Sequence, residues 1–496
     1  MAENIRAPRG PSPLPRPQPR PIAVVQLDLD GPDGAVLSLV PAPGGPLPGE
    51  AGGDVYALVR LRGRPVATVV GRVAAGEDPA EVLTAAFRAR KEYRGGYEDE
   101  KPRQAGPALG TPRLPRATVV GPALGTPQLP RTTVVVATRE RAGQLARALD
   151  SLLAQDHPDF RVLVVDNAPV TTATRDLVRS PRYDGRVGYV VEPRPGLAVA
   201  HNRGIAEASV SDPVLAFTDD DVIADPHWLT ALTAPFATDP GLGCVTGLIL
   251  PARLATPAQI LLESHGGFAK GFAPRLYDPA RPPADEPLFP FTAGSFGSGA
   301  NMAFRADALR AVGGFDPATG TGTAARGGDD LYAFVRILTA GHRLRYTPEA
   351  LVWHHHRETW ADLRNQAYGY GAGLTAYLTA LLVRRPVLLP AFLAKLPRAL
   401  AHARAITAHR ADDGSGSASD AVPGTHGGQG HPWPRALSRL ERRGMLYGPL
   451  GYAKARARIR GGGRGGGGGG DGGGGGGRGR GEGSGGGRGT GTGGGV

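Results

Sequence analysis

Strands alternate with helices between residues 132 and 221, and no other feature of the sequence constrains the fold as strongly. Short β-branched or apolar runs predict the strands, and apolar residues at helical spacing predict the helices. The predicted strands lie at 132–136, 160–165, 187–191 and 213–217, and the predicted helices at 141–154 and 197–208. Strands joined by such helices form right-handed crossovers, so we expect an α/β fold with a parallel sheet.

Polar residues follow three of the predicted strands at the points where the strands end. In an open α/β sheet, ligands bind outside the carboxyl ends of the strands. The sequence therefore predicts that these polar residues form a site. The residues are Thr138 and Arg141 after the first strand, Asp166 after the second, and Asp219, Asp220 and Asp221 after the fourth.

The aspartate triplet predicts a metal site. Side chains alternate along an extended chain, so Asp219 and Asp221 should point the same way. Two converging carboxylates suit a hard divalent cation such as Mg²⁺ or Mn²⁺. The alternative is a solvated acidic turn, but the apolar strand before the triplet and a helix start at Asp225 favour the metal site.

Composition predicts that both ends of the chain are disordered. Residues 461–496 contain 26 glycines and almost no apolar side chains, and the first 20 residues are rich in proline and arginine. Residues 106–120 and 121–135 form a direct repeat that agrees at 13 of 15 positions. Two copies are too few for a solenoid, so we interpret the repeat as a lengthened linker.

The remaining N-terminal sequence predicts a small α+β module. A strand is predicted at 22–29, and a hairpin at 55–61 and 65–70. Asp78 followed by Pro79 predicts the start of a helix, with the aspartate as its N-cap. Nothing in this module indicates a particular chemistry.

Charge is distributed unevenly along the chain. The formal net charge of +12 arises entirely after residue 383, where 18 basic residues face 6 acidic ones, while the first 383 residues hold 39 of each. A neutral core argues against a specific nucleic-acid partner. The basic patches at 384–410 and 435–460 also contain apolar residues, which favours contact with an anionic membrane surface. Helices packed on the main domain, with arginines outside, are the alternative.

The sequence gives little indication of secretion or membrane insertion. The N-terminal residues have no apolar core of the signal-peptide kind, and no apolar run reaches the ~18 residues of a membrane span. The single cysteine, Cys244, excludes a disulfide framework and a multi-cysteine metal site. We therefore expect a cytoplasmic protein that can lie peripherally at the inner face of the plasma membrane.

Six sequence segments between residues 134 and 357 follow one another in a recognisable order. They are VVVATRER (134–141), VVDNA (164–168), PGLAVAHNRG (195–204), FTDDDVIADPHWL (217–229), GSGANMAFRADALRAVGGFD (297–316) and GGDDLYAFVRILTAGHRLRYTPEALVWHHHR (327–357). In this order and spacing they resemble the bacterial, inverting family 2 glycosyltransferases of the GT-A fold. The resemblance implies a Rossmann-like mixed sheet flanked by helices, a nucleotide-diphosphate sugar as donor, and Mg²⁺ or Mn²⁺ as cofactor.

The resemblance also implies a role for each matched residue. It implies a catalytic base at Asp330 with Asp329 beside it, nucleotide contacts from Thr138, Arg141, Asp166, His201, Asn202, Asp219 and Asp220, metal ligands at Asp219, Asp221 and His354, and a sugar and acceptor pocket at Gly299 and Asn301.

Chemistry supports a base at Asp330, since an acceptor hydroxyl needs a proton acceptor within hydrogen-bond reach. Gly327 and Gly328 would let this turn approach the substrate closely. The alternative is that Asp329 and Asp330 form the N-cap of a helix at 331–338. For the two histidines that follow His354, the alternative is a surface histidine cluster.

The expected reaction is the transfer of a single sugar, because the Gln-x-x-Arg-Trp signature of processive relatives is absent. The acceptor is unknown, and a lipid-linked acceptor would suit the membrane contact. Two other functions stay open: an inactive relative that only binds nucleotide or glycan, and an RNA-associated protein acting through its Arg/Gly tail. The predicted organisation is a tail (1–20), the module (21–100), a linker (101–130), the GT-A domain (131–360), C-terminal helices (361–410), a linker (411–434), a basic segment (435–460) and a tail (461–496).

Overall fold

The computed structural model describes residues 20–45, 52–89, 128–264, 267–395, 397 and 434–462. The predictions for the first 19 residues, for most of the repeat-bearing linker, for the linker before residue 434 and for the glycine-rich tail after residue 462 lie outside the described residues.

The N-terminal module is a four-stranded sheet with one helix, and three of its strands and the helix agree with the sequence prediction. Its elements are β1 (Ala23–Leu29), β2 (Val36–Pro41), β3 (Gly53–Leu61), β4 (Arg64–Val73) and α1 (Pro79–Arg88). The strand order is β2-β1-β3-β4, with β1 and β3 parallel. The Asp78 side chain accepts a hydrogen bond from the Ala80 N–H at 2.8 Å, which confirms the predicted cap. Strand β2 was missed because it is a mostly exposed edge strand beside Gly- and Pro-rich sequence.

The large domain is built on a nine-stranded mixed sheet within the described residues, which confirms the expected α/β class. The strand order is β11-β13-β10-β12-β8-β5-β6-β7, and β9 pairs with β13. Strands β5 to β8 are mutually parallel, and β12 runs antiparallel between β8 and β10. The strands are β5 (Thr132–Thr138), β6 (Phe160–Asn167), β7 (Val187–Glu192), β8 (Val214–Asp219), β9 (Val222–Ala224), β10 (Leu242–Pro251), β11 (Arg275–Tyr277), β12 (Asn301–Arg305) and β13 (Arg343–His354).

Helices cover both faces of this sheet because its central strands are apolar on both sides. In β5, Val135 and Ala137 belong to one hydrophobic cluster, while Val134 and Val136 belong to the cluster on the opposite face. The helices are α2 (Ala142–Leu152), α3 (Ala173–Val178), α4 (Leu197–Glu207), α5 (Trp228–Thr238), α6 (Pro257–Ser264), α7 (Ala306–Ala311), α8 (Asp329–Thr339), α9 (Trp360–Arg384) and α10 (Arg435–Gly462).

The N-terminal module is joined to the large domain by a shared core. Tyr56 and Leu58 of β3 pack in one buried cluster with Leu250 and Trp353 of the large sheet. The backbone N–H of Ile22 also donates to the Leu254 carbonyl at 2.8 Å. The module therefore packs directly against strands β10 and β13 of the large sheet.

Helices α9 and α10 pack with their backbones almost in contact, and glycines permit this. A Cβ on Gly371 would lie 1.9 Å from the Glu441 carbonyl oxygen, and one on Gly444 would lie 2.2 Å from the Tyr368 carbonyl oxygen. The Tyr452 hydroxyl then donates to Asp316 Oδ2 at 3.0 Å, which ties α10 to the large domain. The predicted basic segment is thus a helix packed on the main body with arginines on its outer side, and this packing is compatible with the expected membrane contact.

No single helix in the part of the chain that the structure describes combines the length and hydropathy that crossing a bilayer requires. Helix α9 meets the criterion only together with the helical segment Pro386–Lys395, and the two are bent by 110° relative to each other.

Candidate active site

Sheet register brings the predicted strand-end residues to one edge of the large sheet. Thr138 pairs with Asp166 across β5 and β6, and Ala137 pairs with Asp219 across β5 and β8. The carboxyl ends of the three parallel strands therefore lie side by side, as expected for a ligand site in an open sheet.

Asp219, Asp221 and His354 converge at this edge. One ligand atom from each residue lies within 4.8 Å of the other two. His354 Nε2 is 3.3 Å from Asp221 Oδ1, and both side chains are buried. Apart from this contact, Asp221 Oδ1 has no hydrogen-bond partner among the described residues. Two carboxylates and an imidazole nitrogen brought together in this way fit a small divalent cation.

The pKa values of the two aspartates in this cluster are shifted in opposite directions. Burial raises the pKa of Asp219 to about 7, and the negative charge of Asp221 adds to the rise. Burial opposes ionisation of Asp221 as well, but His354, Arg357 and Arg141 hold its pKa well below the usual range. The cluster thus places one firmly ionised carboxylate beside another whose charge a bound cation would stabilise.

Asp220 points away from the cluster and contacts two of the predicted nucleotide-binding residues. Thr138 Oγ1 donates to its Oδ2 at 2.6 Å, and Arg141 Nη1 lies 3.1 Å from its Oδ1. Arg141 Nη1 is also 3.3 Å from Asp221 Oδ2, and Arg357 Nη1 is 3.6 Å from the same oxygen. Sequence reasoning missed Arg357. Two guanidinium groups beside the acidic cluster create a setting for phosphate oxygens.

Asp166 lies buried at the end of β6 with one oxygen available. Its Oδ2 accepts from the Tyr189 hydroxyl at 2.8 Å, and its Oδ1 has no hydrogen-bond partner in the described ranges. Burial raises its pKa. The unpaired oxygen is an acceptor that a ligand could complete.

Asp330 reaches the same edge from helix α8. The Gly299 N–H donates to Asp330 Oδ2 at 2.8 Å. Because Asn301 pairs with Thr218, the segment around Gly299 passes beside the end of β8. Burial raises the pKa of Asp330 to about 6, and the charge of Asp329 contributes to the rise. The side chain is partly exposed, whereas Asp329 is buried.

The helix-cap interpretation of the two aspartates is wrong. Helix α8 begins at Asp329, and its N-cap is Gly328 with a φ of 87°. The aspartates therefore occupy the first turn, where their charge favours the helix dipole, and Asp330 Oδ1 accepts from the Leu331 N–H at 2.8 Å. The expected role of Gly328 also changes, because a Cβ there would lie 2.4 Å from the Gly373 carbonyl oxygen of α9. This glycine serves helix packing.

Two predicted ligand-contacting amides are engaged within the protein. Asn202 donates to the Phe315 carbonyl at 2.8 Å and accepts from the Phe315 N–H at 3.0 Å. Asn301 is fully buried, accepts from Trp228 Nε1 at 2.8 Å and donates to the Leu248 carbonyl at 2.9 Å. Both amides thus bond to groups of the protein itself, and the nucleotide contact of Asn202 and the sugar contact of Asn301 stay predictions.

His201 is likewise an interior residue. It packs against the rings of Phe217 and Phe315, with centroid distances of 5.2 and 4.9 Å. Its Nδ1 is 3.4 Å from Asp329 Oδ2. His201 therefore contacts the acidic pair at the start of α8, and its predicted nucleotide contact stays a prediction.

The interpretation of the last two histidines as a surface cluster is wrong for His356. It is only 2% exposed, and its Nε2 lies 3.1 Å from Glu263 Oε2 on helix α6. His355 points the other way and lies against Gly44 of the module. The period of two along a strand could have indicated this, because it places His354 and His356 on one side. No sequence signal indicates Glu263.

The large domain matches known glycosyltransferases in sequence. A family model described as glycosyltransferase like family 2 matches residues 130–368. Pre-mycofactocin glycosyltransferase from Mycobacterium tuberculosis is 29% identical over 241 residues, which cover 48% of this chain and 46% of that protein. Validoxylamine A glucosyltransferase from Streptomyces hygroscopicus subsp. jinggangensis is 36% identical over 119 residues, which cover 23% of this chain and 28% of that protein. The chain spans less than half the length of either relative.

Solved structures give a weaker likeness. A mannosyltransferase from Pyrobaculum calidifontis, in complex with GDP-Man and Mn²⁺, is 20% identical with a TM-score of 0.37, and the match covers 70% of this chain and 79% of that chain. The assignment rests on the family model, whose match runs from β5 into α9 and includes every strand-end residue described above. The chain therefore carries a glycosyltransferase domain of the family 2 type at residues 130–368.

Proposed function

We propose that this protein transfers a single sugar from a nucleotide-diphosphate sugar to an acceptor hydroxyl, with inversion at the transferred carbon and with Mg²⁺ or Mn²⁺ as cofactor. The observation that carries the proposal is the convergence of Asp219, Asp221 and His354, whose ligand atoms lie within 4.8 Å of one another. Asp166 and Asp330 lie at the same edge of the sheet. The cluster would therefore be accompanied by a hydrogen-bond acceptor for the nucleobase, Asp166, and by a candidate general base, Asp330.

The acidic cluster and its arginines would bind the diphosphate. Asp219, Asp221 and His354 would hold the cation, which when bound neutralises the charge that develops on the departing diphosphate. Arg141 and Arg357 stand 3.3 and 3.6 Å from Asp221 Oδ2 and would contact the phosphate oxygens from the protein side. The leaving group therefore departs without needing a proton.

Asp330 would remove the proton from the acceptor hydroxyl. The Gly299 N–H fixes its Oδ2, which aims the carboxylate at the edge where the sugar would lie. A single displacement by the deprotonated hydroxyl breaks the bond to the diphosphate and inverts the configuration. Asp329, buried against His201, would support Asp330 by its charge.

Activity should depend on pH through Asp330. A base acts only when deprotonated, and the pKa of Asp330 is raised to about 6. The value of kcat/KM should therefore level off above about pH 7 and fall about tenfold for each pH unit below about 5.5. A pH profile measured at saturating Mn²⁺ tests this. An acidic limb centred near pH 4, the range of an ordinary aspartate, would contradict the role of Asp330.

A screen of nucleotide sugars for transfer or slow hydrolysis, with Mn²⁺ or Mg²⁺ added, tests the function as a whole. We expect turnover with at least one donor and none after chelation. Tight donor binding without turnover by any donor would instead identify an inactive relative. The RNA-associated alternative depends on the Arg/Gly tail, most of which lies outside the described residues.

We also propose that the outer face of α10 contacts an anionic membrane, where a lipid-linked acceptor would be accessible. Leu446 is 84% exposed and Leu450 is 52% exposed, and both lie one turn or two beyond the exposed Arg442 on the same side of the helix. Arg443 adjoins them and is exposed as well. Apolar and basic groups on one face suit a surface of anionic lipid.

The full chain should therefore sediment with anionic vesicles at low salt and be released at high salt. Each basic residue near such a surface contributes about 1 kcal/mol, so the double substitution Arg442→Glu and Arg443→Glu should weaken binding at least about tenfold. The matched control is Arg179→Glu with Arg186→Glu, which changes the charge equally at two exposed sites elsewhere. Equal losses in both variants, or equal binding to neutral vesicles, would contradict a contact through α10.

A further inference from the structure

A row of buried polar contacts leads from the candidate metal site to the N-terminal module. His354 Nδ1 lies 3.2 Å from His356 Nδ1, and His356 Nε2 lies 3.1 Å from Glu263 Oε2. The Tyr56 hydroxyl of strand β3 donates to Glu263 Oε1 at 2.9 Å. All four residues are buried, with His354 the most exposed at 8%. The row therefore crosses the interior from the acidic cluster to a strand that the family match does not include.

With Glu263 as a carboxylate and His356 neutral, the donors and acceptors along this row have one consistent assignment. A Glu263 carboxylate that accepts from Tyr56 has only lone pairs to offer, so His356 Nε2 must carry a proton and donate it. A neutral His356 then presents a lone pair at Nδ1. His354 Nδ1 must accordingly carry a proton and donate, which leaves His354 Nε2 as the nitrogen that faces Asp221.

We propose that Glu263, acting through His356, fixes the tautomer of His354 so that its Nε2 lone pair is directed at the metal site, and that Tyr56 of the N-terminal module holds Glu263 for this purpose. Glu263, His356 and Tyr56 are positioning residues. The proposal rests on the proposed function, in which His354 is a metal ligand. It assigns a role to a module whose sequence indicates no chemistry.

Packing around the row supports a fixed arrangement. The centroid of the Phe268 ring lies 5.1 Å from that of His354 and 5.5 Å from that of His356. The phenyl ring therefore restricts the orientation of both imidazoles. Gln259 Nε2 donates to the His356 carbonyl at 3.1 Å and holds the backbone after β13. Residues that orient a ligating histidine in this way without touching the metal commonly change metal affinity by about 10–100-fold.

Nitrogen-15 NMR of the metal-free full chain, labelled at histidine, tests the tautomers directly. The expected spectrum shows His356 protonated at Nε2 and unprotonated at Nδ1, with a proton on His354 Nδ1. The signals are assigned by comparison with His354→Gln and His356→Gln. A proton on His356 Nδ1 would overturn the proposal, whether or not the protein binds metal.

Binding of Mn²⁺ alone, measured by calorimetry, tests the consequence for the metal site. Glu263→Gln can donate to His356 and reverse the row, and Glu263→Leu cannot accept at all, so both should weaken Mn²⁺ binding by about 10–100-fold. Tyr56→Phe should cause a smaller loss in the same direction. His355→Gln is the matched control, because His355 lies outside the row and should leave affinity unchanged.

Wild-type affinity for Mn²⁺ in folded Glu263→Gln and Glu263→Leu would overturn the proposal. Should the variants at Glu263 not fold, Tyr56→Phe and the wild-type NMR spectrum still decide the matter. Absence of Mn²⁺ and Mg²⁺ binding by the wild-type protein would count against the proposed function instead, since the tautomers are read without metal. The two failures are thus distinguishable.

Discussion

Replacement of Asp221 by alanine should abolish sugar transfer while leaving the fold intact. Asp221 lies at the centre of the candidate metal site, 3.3 Å from His354 Nε2 and within 3.6 Å of two guanidinium groups. Loss of the cation would remove several kcal/mol of stabilisation of the departing diphosphate, which corresponds to roughly a thousandfold or more in rate. Steady-state transfer with the best donor, together with a thermal melting curve, measures both parts of the prediction.

The controls for this variant separate metal loss from general damage. Asp184→Ala removes an exposed aspartate from the turn before β7 of the same domain and should leave the rate unchanged. Chelation of the wild-type protein should reproduce the Asp221→Ala defect, and added Mn²⁺ or Mg²⁺ should reverse the effect of the chelator alone. Near-normal transfer by Asp221→Ala, or a wild type that is indifferent to chelator, would eliminate the metal role.

Asp330→Asn should lower the rate by about 10²–10⁴-fold, because the amide keeps the shape of the side chain but cannot accept a proton from the acceptor. Nucleotide binding should persist, since Asp330 contacts Gly299 rather than the strand-end residues Thr138 and Asp166. Single-turnover transfer gives the rate, and calorimetry with the nucleoside diphosphate gives the binding. The acidic limb of the pH profile should disappear from the residual activity.

Asp329→Asn is the comparison that this prediction needs. Asp329 is buried and its Oδ2 lies 3.4 Å from His201 Nδ1, so its loss should lower stability more than it lowers the rate. A larger rate loss in Asp329→Asn than in Asp330→Asn would show that the two roles are reversed.

Local patterns were sufficient to predict the central part of the fold and the edge that carries the site. The apolar run of β5 and the aspartates at the end of β8 each lie within one short stretch of sequence. Both strands and their polar ends could therefore be predicted from local sequence alone. The crossovers predict that these strands are parallel, and the structure adds that Ala137 of β5 pairs with Asp219 of β8.

Contacts between distant parts of the chain could not be predicted in this way. Tyr56 and Glu263 are 207 residues apart in sequence, and Glu263 and His356 are 93 apart. Nothing in the local spacing of either pair indicates that they meet. Asn202 and Asn301 illustrate the converse, because each sits in a motif typical of ligand contact while its amide pairs with buried groups that only the folded chain brings near.

The packing of α10 on α9 extends the folded unit beyond the part of the chain that the family model matches. The match to the family model ends at residue 368, inside a helix that continues to Arg384. Beyond that point, Gly371 and Gly444 bring the last helix against the same surface, and Tyr452 reaches back to Asp316. The unit that can be recognised by sequence is therefore smaller than the unit that must fold together, and a catalytic fragment made for expression has to extend through residue 462.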